Sequence, residues 1–275
     1  MIKENFFTCP ICGGLLFGVD KSFKCEMCHS YDVAKSGYIN LLRPGKMNNA
    51  KAGDSKEMIS ARTLFFSTGA YEPIRKKICD LVCDFAPKTI IDAGCGEGYY
   101  TLGLAERSSD AHVIGFDMSK FGCEHGAKES KKCGISNTSF VVSSIFEMPL
   151  EGECADVIVN MFAPVAHNEF RRVLCNGGHF IVVAAGVHHL EGLKRAIYDN
   201  VYLNDADAPE YDGFELCQRE NLKYDITLTS GESIWALFQM TPYYHRTSIA
   251  NKEKLLSLDR IETTVEVDFF VYRKI

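Results

Sequence analysis

The sequence predicts an α/β protein with a mostly parallel sheet and a small metal-stapled module at its front. Two observations predict the sheet: short apolar strands alternate with helical stretches from Thr89 to Val183, and a glycine-rich turn follows the first of those strands. A third predicts the front module. Two close pairs of cysteines stand in residues 6 to 31, a stretch too short and too broken by Gly13-Gly14 to build an apolar core of its own.

The totals agree with one large domain and an accessory module. The chain has 275 residues, 46% hydrophobic and 24% charged, an ordinary soluble composition. Its longest apolar runs, such as Gly178 to Gly186, are strand-sized and fall short of the roughly 20 residues a membrane-spanning helix needs, so no span is expected. Met1 to Phe7 carries two early charges and meets a Cys-Pro without an apolar leader pattern, which makes a cytoplasmic location the expectation. The net charge of −6 is unevenly placed, with eight Lys/Arg against six Asp/Glu in residues 1–60 and twenty-two against thirty in the remainder. A mildly basic front is therefore expected on an acidic body. The chain shows neither an internal repeat nor a low-complexity tract.

Residues 1–36 form the first expected unit. Cys9-Pro10-Ile11-Cys12 and Cys25-Glu26-Met27-Cys28-His29 give two ligand pairs separated by a loop of 12 residues, the spacing of a small zinc ribbon or knuckle. Five candidates compete for four tetrahedral positions, because Cys25 can close with Cys28 or with His29; spacing alone favours Cys28 slightly. With no protein position left open, the site is expected to be structural. The other eight cysteines are scattered singly through apolar or helical patterns, which favours metal over a disulfide framework.

Residues 37–57 are expected to be a basic arm or linker. Residues 35–56 hold Lys35, Arg43, Lys46, Lys51 and Lys56 against a single Asp54, and Pro44, Gly45 and Asn48-Asn49 interrupt any periodicity. Residues 58–275 make the main domain. Helical spacing begins at about residue 57 with Met58, Ile59, Leu64 and Phe65. A second stripe holds Ile74, Ile78, Leu81, Val82 and Phe85, with Gly69 as the stop between the two helices. Strands are predicted at Thr89 to Ala93, His112 to Phe116, Ser139 to Val142, Ala155 to Val159 and His179 to Val183. The acidic, proline-containing residues 204–215 look like an insertion over the sheet, and Thr264 to Tyr272 alternates as an edge strand would.

The glycine turn carries the chemistry. Thr89-Ile90-Ile91 runs into Asp92-Ala93-Gly94-Cys95-Gly96-Glu97-Gly98, and a helix opens at once. Such turns let backbone approach a ligand and aim N–H groups at it. A dinucleotide presents a pyrophosphate to G-x-G-x-x-G, whereas the spacing here is G-x-G-x-G with Asp92 two positions before the first glycine. An acid there is badly placed for an anion and well placed for a ligand with an ammonium and a sulfonium, so S-adenosylmethionine fits better. Asp117 ends the next strand, 19 residues after Gly98, close to the roughly 20-residue spacing at which an acid meets ribose hydroxyls. Gly94, Gly96, Gly98, Asp92 and Asp117 are thus candidate cofactor residues. The fourth strand ends in Asn160-Met161-Phe162-Ala163-Pro164 at the ligand edge of the sheet. There Asn160 could bond a base edge and Phe162 stack a base, or Asn160 could cap the strand with Phe162 in the core.

These residues resemble the RlmA-type large-subunit ribosomal RNA (guanine-N1) methyltransferases. The resemblance runs through Cys9-Pro10-x-Cys12, Cys25-x-x-x-His29, and Asp32-x-Ala34-Lys35-x-Gly37-Tyr38-x-Asn40-Leu41-Leu42. It continues in Gly53-Asp54-Ser55-x-Glu57-Met58, Ala61-Arg62, Gly94 to Tyr100, Ala163-Pro164, His189-Leu190 and Gln239-Met240-Thr241-Pro242, nearly the whole chain. It implies a Rossmann-like class I methyltransferase with a mostly parallel seven-stranded sheet, S-adenosylmethionine as cofactor, and Zn2+ held by Cys9, Cys12, Cys25 and His29, with Cys28 as this chain's competitor for His29. It also implies cofactor contacts at Tyr71, Glu97, Gly98 and His189. By residue type alone, His189 would be a solvent-facing residue at a helix start and Tyr71 a core residue.

The implied reaction is methylation of guanine N1 in a stem-loop of 23S rRNA, by in-line displacement on the sulfonium methyl with no covalent enzyme intermediate. The zinc module and the arm would grip RNA while the base is turned out of its stem. Asn160 is the one candidate for orienting the base, and no residue is placed by motif as the general base. Two rivals stand beside this expectation: a methyltransferase of small metabolites, and a zinc-ribbon RNA-binding protein that has lost catalysis. A homodimer is left open, as is the identity of the guanine.

Overall fold

The computed structural model describes residues 6–43, 45, 53–205 and 207–275. Of the basic arm, Lys46 and Lys51 lie outside the described residues, as do Pro44 and Asn48-Asn49. The chain opens with three short antiparallel strands, β1 (Phe17–Val19), β2 (Ser22–Lys24) and β3 (Ser30–Asp32), in the order β1-β2-β3. β4 (Ile39–Asn40) follows, then α1 (Lys56–Ser67), α2 (Glu72–Cys83), β5 (Thr89–Ala93), α3 (Tyr99–Arg107), β6 (His112–Asp117), α4 (Lys120–Lys132) and β7 (Thr138–Val142). The second half runs β8 (Ala155–Met161), α5 (His167–Val173), β9 (Leu174–Ala185), α6 (Glu191–Ile197), β10 (Phe214–Leu228), α7 (Gly231–Gln239), α8 (Ile249–Leu256) and β11 (Ile261–Lys274).

The large sheet has the order β10-β11-β9-β8-β5-β6-β7-β4. Strands β9, β8, β5, β6, β7 and β4 are parallel, and β11 and β10 are antiparallel additions beside β9. The alternating αβ pattern therefore gives the parallel sheet it predicts, with β5 at the point where the strand order reverses, where open α/β sheets hold their ligands.

Three details correct the sequence reading. The sheet has eight strands and not seven, because Ile39 and Asn40, within the segment read as arm, pair parallel with Val141 and Val142 of β7. The final strand is not an edge: β11 lies between β9 and β10 and is buried along most of its length. The edge is β10, whose first two residues end the segment read as an insertion. Its first half, Glu215 to Asn221, is mostly exposed and gives no apolar signal, while the alternation of Leu222, Tyr224, Ile226 and Leu228 in its second half is one the sequence reading missed.

Local signals explain where the helices begin and end. Ser55 caps α1 by accepting the Met58 N–H, and Gly69 at φ 76° ends it in the left-handed turn that glycine adopts without a Cβ clash. Ser119 caps α4 in the same way through the Gly122 N–H, and Lys131 and Lys132 in its last turn complement the helix dipole.

The core lies on both faces of the sheet. On one face α1, α2 and α7 pack with Phe65, Ile74, Ile78, Ile234 and Phe238 against Val113, Val159 and Val267. On the other, Phe7, Leu16 and Phe23 of the front module share one cluster with Ile91, Phe116, Val141 and Phe170. Phe7 also forms a β-bridge with Leu150. The front module thus borrows the apolar core that it is too small to build.

Candidate active site and metal cluster

The glycine turn is held in place by the acid that ends the neighbouring strand. Asp117, at the end of β6, accepts the Gly96 N–H at 2.9 Å through Oδ2 and the Ser119 N–H at 2.7 Å through Oδ1. Burial pushes its carboxyl up, and these two N–H groups pull it back down. Gly94 and Gly98 sit at φ 92° and 90°, and a Cβ on Gly94 would lie 2.7 Å from the Cβ of Ala163. Glycine is needed there because the turn packs directly on the loop after β8.

Asp92 and Glu97 flank the turn and are almost fully buried, 1% and 5% exposed. Thr101 of α3 donates to Asp92 Oδ2 at 2.6 Å, but Asp92 Oδ1 has no partner. Glu97 Oε2 also lacks a hydrogen bond, with the Arg62 Nε 4.0 Å away. Arg62 in turn lies 2.7 Å from Asp54, so α1, the segment before it and the glycine turn meet in one charge cluster. Burial pushes both Asp92 and Glu97 up to about 7, against the hydrogen bond from Thr101 in the first case and the Arg62 charge in the second. Two buried carboxyl groups with an unmatched oxygen each form a site short of positive charge. That deficit fits a ligand carrying an ammonium and a sulfonium and opposes a pyrophosphate. Asp54, Arg62 and Thr101 had no role in the sequence reading. The first two stand in the family blocks, but nothing in their spacing shows that they meet Glu97.

Tyr71 and His189, brought in by the resemblance alone, do meet. The Tyr71 hydroxyl lies 3.3 Å from His189 Nε2, and His189 Nδ1 accepts the Glu266 N–H at 3.3 Å. That second bond places the ring proton on Nε2, so the imidazole donates to Tyr71 and the hydroxyl keeps its own hydrogen for another acceptor. Burial lowers His189 to about 4, and the neutral ring with its Nδ1 occupied is no proton acceptor at pH 7. His189 is thus buried against Tyr71 and not the solvent-facing residue its type suggests.

Asn160 is 0% exposed, and its Nδ2 donates to the carbonyls of Ala93 and Pro164, each at 3.1 Å. It ties the end of β5 to the loop after β8. This places it beneath the site as a clamp, and it presents no surface to a substrate base in this structure.

In the front module, one ligand atom each from Cys9, Cys12, Cys25 and His29 lies within 4.8 Å of every other. His29 Nδ1 stands 3.5 Å from Cys9 Sγ and 3.3 Å from Cys25 Sγ, and Cys12 Sγ stands 3.6 Å from Cys25 Sγ. A tetrahedron of ~2.3 Å metal–sulfur bonds has edges of about 3.8 Å, and metal–nitrogen bonds shorten them, so the donor set fits zinc in geometry and in chemistry. Cys28 is excluded from the group. Its backbone stands at φ 62°, it is exposed, and its Sγ faces the Glu26 carbonyl at 3.9 Å. The spacing preference for Cys28 is thereby corrected to His29. Tyr31 adds a hydroxyl 3.1 Å from Cys9 Sγ, an outer contact of the kind that steadies metal ligands.

Comparison with known proteins agrees with this geometry at both ends of the chain. Residues 85–224 match the family described as a methyltransferase domain, and residues 7–49 match the one described as the N-terminal part of RlmA. A relative from Streptomyces fradiae named "23S rRNA (guanine(748)-N(1))-methyltransferase" is 31% identical over 70% of this chain and 68% of its own. One from Bacillus subtilis named "Putative 23S rRNA (guanine-N(1)-)-methyltransferase YxjB" is 27% identical over 99% of both chains. The methyltransferase-domain match on this Rossmann-like sheet, with its glycine turn short of positive charge, makes the chain a methyltransferase that uses S-adenosylmethionine. Within that class, the ribbon and the relatives together place the chain in the RlmA-type 23S rRNA (guanine-N1)-methyltransferase family.

Proposed function

We propose that this enzyme methylates N1 of a guanine in a stem-loop of 23S rRNA. The observation that carries the reading is the RlmA-type ribbon built into the same core as the transfer domain, so one body holds both a metal-stapled front module and the cofactor edge. The cofactor supplies an electrophilic methyl group. Asp92 and Glu97 would meet its cationic portion, Asp117 would reach its ribose after giving up one of its N–H partners, and Tyr71 would offer a hydroxyl donor. Zn2+ on Cys9, Cys12, Cys25 and His29 would fix the ribbon, which with the basic residues before α1 grips RNA phosphates. Alignment of the guanine with the methyl group provides most of the rate.

Mass spectrometry of 23S rRNA from cells lacking the gene tests this directly. One N1-methylguanine is expected to disappear and to return when purified enzyme and S-adenosylmethionine are added to that RNA. An unchanged modification pattern, or transfer to small amines with none to rRNA, would discard the reading.

The arm has its own test. Replacing Lys46, Lys51 and Lys56 together by Gln is expected to weaken RNA binding. It should also flatten the slope of log affinity against log salt by about 2, at roughly 0.7 for each single-strand phosphate left without its lysine. A slope equal to that of the parent protein would remove these lysines from the interface.

A further inference from the structure

Phe162 stands out at the carboxyl edge of the sheet. It is a bulky residue at φ 53°, in the left-handed region that such side chains rarely enter. The residue is 44% exposed, although it follows the buried Asn160 and Met161 at the end of β8. The ring stacks on His189, with centroids 5.7 Å apart and planes 28° from parallel.

The surrounding contacts hold this conformation from several sides. The Phe162 N–H donates to the Val183 carbonyl at 3.0 Å. Asn160 grips the Pro164 carbonyl just beyond, and Ala163 presses on Gly94 of the glycine turn. His189 cannot tilt away, because the Glu266 N–H and the Tyr71 hydroxyl fix both its nitrogens. A glycine at 162 would adopt the same backbone without strain. The protein nevertheless keeps a large flat ring there, beside the turn that takes the methyl donor.

We infer that Phe162 is the platform on which the extruded base stacks, forming a base–Phe162–His189 pile that presents the base edge to the methyl group. The inference rests on the rRNA reading above and names the residue that receives the flipped base. Stacking recognises any planar base face, so Phe162 would set position and leave base identity to other contacts.

The test compares Phe162→Gly and Phe162→Trp in the full-length zinc-loaded protein, on 23S rRNA from cells lacking the gene. For Phe162→Gly, a melting temperature equal to or above that of the parent is expected, with S-adenosylmethionine affinity unchanged within about twofold. Its kcat/KM on the rRNA should fall by about tenfold to a hundredfold, the effect of losing one base–aromatic stack. Phe162→Trp should retain most of the activity. Parent-like kcat/KM in Phe162→Gly would overturn the inference. So would a loss that comes with a lower melting temperature and weaker cofactor binding, since that marks a packing role. A parent enzyme inactive on this RNA would instead overturn the rRNA reading itself.

Discussion

A Cys25→Ser protein is expected to purify without zinc and to lose most of its thermal stability, whereas Cys28→Ser should keep one zinc per chain and melt with the parent. Cys25 is one of four ligand atoms in the cluster and is also packed in the core shared with the sheet. Structural zinc sites contribute on the order of 10 kcal/mol or more of folding free energy, which matches or exceeds the whole stability of an ordinary domain. The loss therefore does not stay in the ribbon. Phe7, Leu16 and Phe23 lose their anchor together, and with them part of the apolar cluster they share with the sheet. Metal content by atomic absorption and calorimetric melting would check both variants. Equal zinc loss in the Cys28 variant would return the fourth position to Cys28.

The second large effect expected is proton release on cofactor binding. Asp92 and Glu97 stand at about 7 in the ligand-free protein, so each is half protonated near neutrality. A bound cation favours their ionised forms, and affinity for S-adenosylmethionine should rise with pH. Two such groups make binding about a hundredfold weaker at pH 6 than at pH 8, tenfold from each. Glu97→Gln should remove about half of that dependence on a logarithmic scale.

The stability of the ligand-free protein moves the other way. A carboxyl whose folded pKa is raised binds more protons folded than unfolded, so its contribution falls as pH rises from about 4 to about 7. Asp92→Asn should therefore raise the melting temperature of the ligand-free protein above pH 7 while weakening cofactor binding. Titration calorimetry in two buffers of different ionisation heat would count the protons released. An affinity flat between pH 6 and pH 8 would remove both carboxyl groups from the cation site.

What could be read beforehand was whatever is local in the chain. The glycine turn, Asp117 and the cysteine pairs are signals a few residues long; the structure joins Asp117 to the turn where open sheets hold ligands, and gathers Cys9, Cys12 and Cys25 with His29 in the front module. Contacts between distant segments were not legible. Asp54, Arg62 and Glu97 converge from three separate stretches, and Thr101 reaches Asp92 because the glycine turn sets the first turn of α3 over the end of β5. The choice of His29 over Cys28 lies between the two cases. Both spacings are allowed, and the left-handed backbone at Cys28 decides by turning its sulfur outward. Asn160 shows the opposite limit: its place on the strand could be read, but the commitment of its amide to two carbonyls could not.

Because the ribbon and the sheet share one cluster of side chains, the metal knuckle and the methyl-transfer edge make up a single gauge of fixed span. If the substrate is the rRNA stem-loop proposed above, the common packing keeps that gauge from widening to suit a longer or shorter stem. An RNA with its grip point and target base at the wrong separation would then be refused by length alone.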